Sequence, residues 1–169
     1  MPEVVIRDMA DFPEWLPAIS AWFHDEWSDL MGSETPADVE RHISRWIARD
    51  TIPTALVAVV EDQVVGTVAL KGKAFDHYGE APWLAGLFVV PKYRKSGIGF
   101  QLLRAAEKKA AAMGIHKLYL YTPRAQRFYE TLGWRRKEEL AVASINVTVM
   151  EKILFPHNLF QAPPAAHRG

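Results

Sequence analysis

The chain has 169 residues, of which 49% are hydrophobic, and its 20 basic residues balance 20 acidic ones. This length fits a single domain, and a neutral chain has no overall field to attract nucleic acid or an anionic membrane, so we expect neither as a partner. The absence of cysteine excludes disulfides, thiolate zinc sites and a cysteine nucleophile.

The start of the chain does not have the pattern of a targeting segment. Residues 1–8 lack the basic segment and the following apolar run that a secretory signal requires. No apolar stretch approaches the length of a membrane span. We therefore expect a cytoplasmic protein.

The first predicted elements are a short strand and a helix. Residues 4–6 are strand-like, and apolar residues at helical spacing then predict a helix from near Trp15 to about Trp27. Pro17 fits this helix only in its first turn, where the missing N–H has no partner to lose.

A second helix and a β-hairpin follow. The run Thr35-Pro36-Ala37-Asp38 combines an N-cap residue, a proline at the first helical position and an acid at the third, which is a helix-start pattern. Residues 55–60 and 64–70 are β-branched, apolar runs joined by a short polar loop, which is typical of a hairpin.

The next predicted strand, residues 83–90, is almost wholly apolar. Such a run indicates burial on both faces of a sheet, so we expect this strand to be central. Pro91 ends it.

An alanine-rich amphipathic helix is predicted from Ile98, with Gly114 as its C-terminal cap. Lys109 falls on its apolar side, where a charged residue does not fit the pattern. A strand over residues 116–121 follows the helix.

The last elements are a short helix and two strands. Thr122 and Pro123 cap the helix, and residues 134–140 and 144–153 have the pattern of strands. The buried face of this helix is predicted to carry Ala125, Phe128, Tyr129 and Leu132.

This order of elements predicts a mixed α/β fold of the α+β type, because it does not alternate as a doubly wound sheet does. We expect one domain over residues 1–155. Residues 156–169 contain three prolines and few core-forming residues, so we expect a flexible C-terminal tail.

The loop between the buried strand and the alanine-rich helix has the features of a phosphate site. Gly97 and Gly99 allow the backbone to turn tightly, and the first N–H groups of a helix have no intrahelical partner. Lys92, Arg94 and Lys95 add positive charge. The alternative is a basic, solvated loop whose glycines serve only the chain reversal.

The strand, the proline and this turn together resemble the pyrophosphate motif of the GNAT superfamily of N-acetyltransferases. The motif is Arg94-x-x-Gly97-x-Gly99, preceded by a matching lead-in at residues 87–93. Residues 64–67 upstream and 125–134 downstream also match, and the resemblance extends over about residues 4–152.

The resemblance implies the GNAT fold, a central mixed but mostly antiparallel sheet of about seven strands flanked by about four helices. It implies acetyl-CoA as co-substrate and no metal. In this family the strand before the motif separates from its neighbour and pairs with the pantetheine arm. The implied cofactor-binding residues are Leu87, Phe88, Val89, Arg94, Lys95, Ser96, Gly97, Ile98, Gly99 and Phe100.

Tyr129 matches the family tyrosine that protonates the departing thiolate, so the resemblance implies a catalytic role for it. Its alternative role is packing on the buried face of its helix. Some relatives also carry a glutamate base on the central strand, but residues 83–90 contain no carboxylate. The sequence does not identify the base that deprotonates the amine. The candidates are water and the following side chains, which lie before the strand or on the first helix: His24, Asp25, Glu26, Asp76, His77 and Glu80.

The expected function is acetyl transfer from acetyl-CoA to a primary amine, small or peptidic, in a ternary complex, because no cysteine can carry the acetyl group. The tryptophans of the first two helices suit an aromatic pocket or the core. The acidic residues between those helices either attract a cationic amine or form a solvated face: Asp25, Glu26, Asp29 and Glu34.

The competing hypothesis is an inactive CoA-binding sensor or partner-binding module, which the missing strand carboxylate favours. An NTPase is excluded, because the turn lacks the glycine-lysine-serine or threonine ending that holds a triphosphate and magnesium. A homodimer is compatible with the resemblance, since many relatives pair through sheet edges.

Overall fold

The computed structural model describes residues 2–155, which form a seven-stranded sheet with four α-helices. The strands are β1 Val5–Asp8, β2 Thr54–Val60, β3 Gln63–Lys71, β4 Trp83–Val89, β5 Lys117–Thr122, β6 Arg135–Val142 and β7 Ile145–Ile153. The helices are α1 Leu16–Met31, α2 Pro36–Ile43, α3 Ile98–Ala112 and α4 Gln126–Glu130. The predicted mixed α/β class, strand number and helix number are confirmed.

The strand order is β1-β2-β3-β4-β5-β7-β6, and every neighbouring pair is antiparallel except β4 and β5. That exception follows from connectivity, because α3 carries the chain across the sheet and returns it in the same direction. The predicted mixed, mostly antiparallel sheet is therefore confirmed.

The sheet separates two hydrophobic cores, one on each face. The side chains of α3, such as Leu102 and Leu103, are fully buried on one face. Those of α1 and α2, such as Ile19 and Ile43, are buried on the other. Strands with helices on both faces must be apolar on both faces, which explains the unbroken apolar runs of the hairpin β2–β3.

Strand β4 lies at the centre of the sheet, as predicted, but its burial is incomplete. Trp83, Leu84 and Phe88 are buried, whereas residues 85–87 and Val89 are partly exposed. The predicted burial on both faces is therefore wrong for the middle of the strand. The reason is that β4 borders an opening in the sheet.

Two local expectations also change. Helix α1 ends at Met31 rather than near Trp27, although Trp27 has non-helical backbone angles and marks a kink. Lys109 fits its position because its Nζ lies 2.9 Å from Oδ1 of Asp8, at the end of β1. The predicted tail, residues 156–169, lies outside the described residues.

Candidate active site

Strands β4 and β5 separate along most of their length. Their only paired residues in the described chain are Trp83 and Tyr119, at the start of β4. A bulge at Gly86, whose φ is +61°, interrupts the pairing with β3, and its carbonyl accepts a hydrogen bond of 2.8 Å from the Thr67 hydroxyl. The edge of β4 that faces β5 thus keeps unpaired backbone groups beyond Trp83.

Gly86→Ala is expected to destabilise the protein by about 1–3 kcal/mol. The new methyl group would lie 3.2 Å from both Phe23 and Trp46, on a backbone with positive φ. Urea unfolding measures the loss. Gly79→Ala is the matched control, because Gly79 has φ of +64° and nothing within 4 Å of the added carbon. Equal losses in the two variants would show that crowding at Gly86 is unimportant.

The turn before α3 presents a row of free backbone amides. Lys95 and Gly97 both have positive φ, +63° and +89°, which curls this segment tightly. The first backbone hydrogen bond of the helix runs 3.0 Å from the Gln101 N–H to the Gly97 carbonyl. Within residues 2–155, the amides of residues 95–100 have no acceptor. Such a concave row at a helix N-terminus, which carries about half a positive charge, suits a phosphate.

The predicted arginine of the turn folds back on β4. Its Nε donates a 2.8 Å hydrogen bond to the Val89 carbonyl, and its guanidinium lies 5.3 Å from the Phe88 ring centre. One of its terminal nitrogens also lies 3.6 Å from the carboxylate of Glu26. The side chain of Arg94 therefore connects the turn to the end of β4 and to α1.

The other predicted residues of the turn contribute mainly through their backbone. The Ser96 hydroxyl donates to the Tyr93 carbonyl, and the Ile98 side chain is anchored in the core. Lys95 is exposed and has no ion-pair partner in the described chain. Phe100 is exposed, with the Arg104 guanidinium 5.9 Å from its ring centre.

A cavity of about 400 Å³ lies on the α1–α2 side of the opening between β4 and β5. Its wall is largely apolar, with both aliphatic and aromatic side chains, and it contains the polar side chains Glu34, His42, Lys71 and Thr122. The aromatic lining residues are Phe23, Trp27, Trp46, Trp83, Tyr121 and Tyr129. Of the tryptophans of the first two helices, Trp27 and Trp46 line the cavity, whereas Trp15 and Trp22 pack against the core, so each of the two expectations holds for part of the set.

Tyr129 lies in the wall of this cavity, on the short helix α4. Its ring packs against Phe128 and Trp134, with centroid distances of 5.2 and 6.1 Å. Burial raises the pKa of Tyr129 above its ordinary value, so the hydroxyl keeps its proton at neutral pH. Its hydroxyl has no hydrogen-bond partner among the described residues. The position suits both predicted roles, since the ring packs while the hydroxyl is free to donate.

The three predicted residues of β4 differ in their side chains. Leu87 lines the cavity, whereas Phe88 stacks on Trp22 of α1 at 5.6 Å and belongs to the core. Val89 is partly buried against the other core. Any role that Phe88 has toward a ligand must therefore come from its backbone.

None of the six side chains considered as a base lines the cavity. His24 contacts the Glu34 carbonyl at 2.9 Å, and His77 contacts the Glu138 carboxylate at 3.1 Å. Asp25 and Glu80 are exposed, and Asp76 pairs with Lys73. Their positions in the sequence, before β4 or on the first helix, did not bring their side chains into the wall of the cavity.

Sequence reasoning missed His42 and Lys71, which do line the cavity. His42 Nε2 lies 3.1 Å from the Glu34 carboxylate. The available signal for Lys71 was a lone cation that ends a buried, apolar strand. For His42 no sequence signal existed, because its spacing on α2 also fits a solvated surface.

The acidic residues of α1 take part in contacts across the opening. Glu26 pairs with Arg94, and Asp29 lies 3.6 Å from Arg124, which follows β5. Asp25 is exposed. Two of these acids therefore join α1 to the loops on either side of the opening through exposed ion pairs. Asp25, Glu26 and Asp29 are all solvent-exposed, which agrees with the solvated-face interpretation.

Within residues 2–155, no three histidine, aspartate or glutamate side chains come together as a metal-binding group. The same residues contain no helix that is both long enough and apolar enough to cross a membrane.

Comparisons with other proteins agree with this geometry. The sequence model of the acetyltransferase (GNAT) family matches residues 16–134. An aminoglycoside 6'-N-acetyltransferase solved with coenzyme A superposes with a TM-score of 0.72 at 20% identity, over 90% of this chain and 98% of that chain. The aminoglycoside 6'-N-acetyltransferase of Enterococcus faecium gives 0.70 at 20% identity, over 90% and 98%. The protein yncA of Salmonella typhimurium, solved with its cofactor acetyl-CoA, gives 0.69 at 17% identity, over 91% and 95%.

Proposed function

The chain belongs to the GNAT family of acetyltransferases, and from that premise we propose that it transfers an acetyl group from acetyl-CoA directly to a primary amine. The observation that carries this proposal is the continuity of three features. In the part of the chain that the structure describes, the amides of residues 95–100 have no acceptor, the neighbouring edge of β4 is unpaired beyond Trp83, and this edge leads to a cavity where the Tyr129 hydroxyl has no partner.

In this proposal the backbone binds the cofactor. The amides of residues 95–100 surround the pyrophosphate, with Arg94 beside them. The edge of β4 at residues 87–89 supplies partners for the two amides of pantetheine, which need hydrogen bonds in a dry cleft. The extended arm then reaches from the turn to the cavity along the opening.

Tyr129 is the proposed acid. As the amine nitrogen bonds to the acetyl carbon, the carbon–sulfur bond breaks and the departing thiolate takes the proton of the Tyr129 hydroxyl. A backbone N–H of β4 can stabilise the developing negative charge on the acetyl oxygen. The amine must lose a proton before it attacks, and His42, held by Glu34, and water are the proposed routes for it.

We expect the protein to release thiol from acetyl-CoA when a suitable primary amine is supplied. Coenzyme A at a hundred times its dissociation constant should stabilise the fold by about 2.7 kcal/mol, and ATP at the same concentration should not. A thiol-detection assay over a panel of amines and a thermal melt measure the two effects.

The same two measurements test the inactive CoA-binding module. That hypothesis requires a melting shift with coenzyme A and no thiol release with any amine. Turnover on any amine excludes it. The absence of both a shift and turnover would contradict the proposed cofactor site itself.

A further inference from the structure

The charged groups of the cavity are distributed unevenly. Glu34 and His42 lie together on the α1–α2 side and contact each other at 3.1 Å, so each partly satisfies the other. Lys71 is the third ionisable residue of the wall, and it lies on the sheet side. The cavity therefore has one internally paired end and one end with a single cation.

Lys71 has no partner for its charge among the residues that the structure describes. It is half-buried at the end of β3, and its ammonium group forms no hydrogen bond or ion pair with any residue in 2–155. Its cross-strand neighbour is Trp83 in β4, so the two side chains share one face of the sheet. The indole N–H of Trp83 is buried and also lacks an acceptor in the described chain.

An unpaired ammonium group in apolar surroundings is unfavourable. Burial lowers the pKa of Lys71, which is the direction expected when a cation loses water without gaining a counter-charge. Glu80 is an acid near the residue that follows Lys71, since its Oε2 lies 3.6 Å from the point where a Cβ on Gly72 would be. Glu80 forms no ion pair with Lys71.

We infer that Lys71 binds a carboxylate of the acceptor, which is therefore a small amino acid-like molecule with a primary amine, a carboxylate and an apolar or aromatic body. This inference rests on the proposed function, because it specifies the acceptor of the same reaction. The apolar wall of the cavity, which includes both aliphatic and aromatic side chains, suits the apolar body, and the ammonium of Lys71 supplies the counter-charge.

This acceptor differs from a polycation such as an aminoglycoside. A polycation needs several unpaired carboxylates, whereas the wall of this cavity has one carboxylate, Glu34, which already contacts His42. Lys71 would repel a second amino group near the sheet. The wall therefore favours an acceptor with one amine and one acid group.

The overall reaction balances with this acceptor. Acetyl-CoA and the zwitterion give the N-acetyl amino acid, coenzyme A thiol and one proton. The carbon–nitrogen bond forms as the carbon–sulfur bond breaks. Of the two protons that the ammonium loses, one replaces the proton that Tyr129 gives to sulfur and one leaves to solvent. The carboxylate takes no part in the bond changes, so Lys71 acts as a specificity-determining residue.

The test compares matched acceptors in the wild type and in Lys71→Met. L-Phenylalanine, L-leucine and L-methionine are each measured against the corresponding amide and the decarboxylated amine. We expect kcat/KM to be about 10- to 100-fold higher for the acid than for its amide, the usual worth of one charge-assisted hydrogen bond. In Lys71→Met this ratio should fall to about one, mainly through KM for the acids.

Two further variants serve as controls. Lys71→Arg keeps the charge and should retain part of the preference for acids. Glu80→Gln should leave the ratio unchanged, because the inference assigns Glu80 no role in balancing Lys71. A ratio near one for the wild type on all three amino acids would overturn the inference. Equal losses of kcat/KM on acids and amides in Lys71→Met would also overturn it, since a role of Lys71 in proton transfer or folding would then account for the loss.

A binding measurement separates this inference from the proposed function. Tryptophan fluorescence, with coenzyme A present, reports occupancy of the cavity without turnover. If coenzyme A binds but no amine is acetylated, the proposed function fails. The inference is then still supported if an acid binds more tightly than its amide to the wild type but not to Lys71→Met. It is overturned if no acid binds more tightly than its amide.

Discussion

Gly97→Val is expected to weaken binding of coenzyme A by roughly 10²- to 10⁴-fold while leaving the protein folded. Gly97 has φ of +89°, a conformation that a β-branched residue adopts only with strain. The turn must therefore change shape, and the amides of residues 95–100 lose their common direction. Losing two charge-assisted hydrogen bonds accounts for the stated range. Calorimetric titration with coenzyme A measures the change.

Gly114→Val provides the matched control at the other end of α3. Gly114 has φ of +84° and, like Gly97, nothing within 4 Å of an added Cβ, so the two substitutions impose similar backbone strain. Affinity should fall in Gly97→Val alone. Similar losses in both variants would attribute the effect to general destabilisation of the helix, and unchanged affinity in Gly97→Val would remove the turn from the cofactor site.

Tyr129→Phe is expected to lower kcat by roughly 10²- to 10⁴-fold with little change in affinity for acetyl-CoA, which is the span for losing a positioned acid. The substitution keeps the ring that packs against Phe128 and Trp134. It removes a hydroxyl that has no partner in residues 2–155, so the fold should lose little stability. Steady-state kinetics and a coenzyme A titration separate the two effects.

Tyr121→Phe is the comparison variant, because Tyr121 also lines the cavity and burial also raises the pKa of its hydroxyl. We expect less than about a tenfold loss there, since the proposed acid is Tyr129. A large loss of kcat in Tyr121→Phe and a small one in Tyr129→Phe would indicate that the general acid is Tyr121, in β5. Small losses in both would leave Tyr129 with a packing role only.

The elements of the fold could be predicted because their signals are local. The apolar run at residues 83–90 indicated a central strand, and the Thr35 pattern indicated a helix start that the structure confirms as a capping box. The end of α1 could not be predicted so well. The apolar pattern on which the prediction was based stops near Trp27, where the backbone has a kink, whereas the helix packs on α2 and continues to Met31.

The parts of the site also differ in how well the sequence predicts them. The turn at residues 94–99 depends on two glycines that are one residue apart in the chain and on a following helix, so its sequence pattern indicated a tight backbone turn. The cavity combines residues that are distant in sequence, such as Glu34, Lys71 and Tyr129. The candidates for the base were chosen by their proximity in sequence to β4 or to the first helix, and none of them reaches the cavity.

The sequence by itself determined the class of fold, the family and the loop that turns into α3, because strand burial, helix amphipathicity and glycine placement depend on neighbouring residues. Only the tertiary structure decided that Glu26 and Asp29 contact the loops beside the opening and that Lys71 lies in the cavity with no ion-pair partner in residues 2–155. Those facts depend on the packing of α1 and on the separation of β4 from β5. Contacts between residues far apart in the chain leave no periodic pattern in a single sequence.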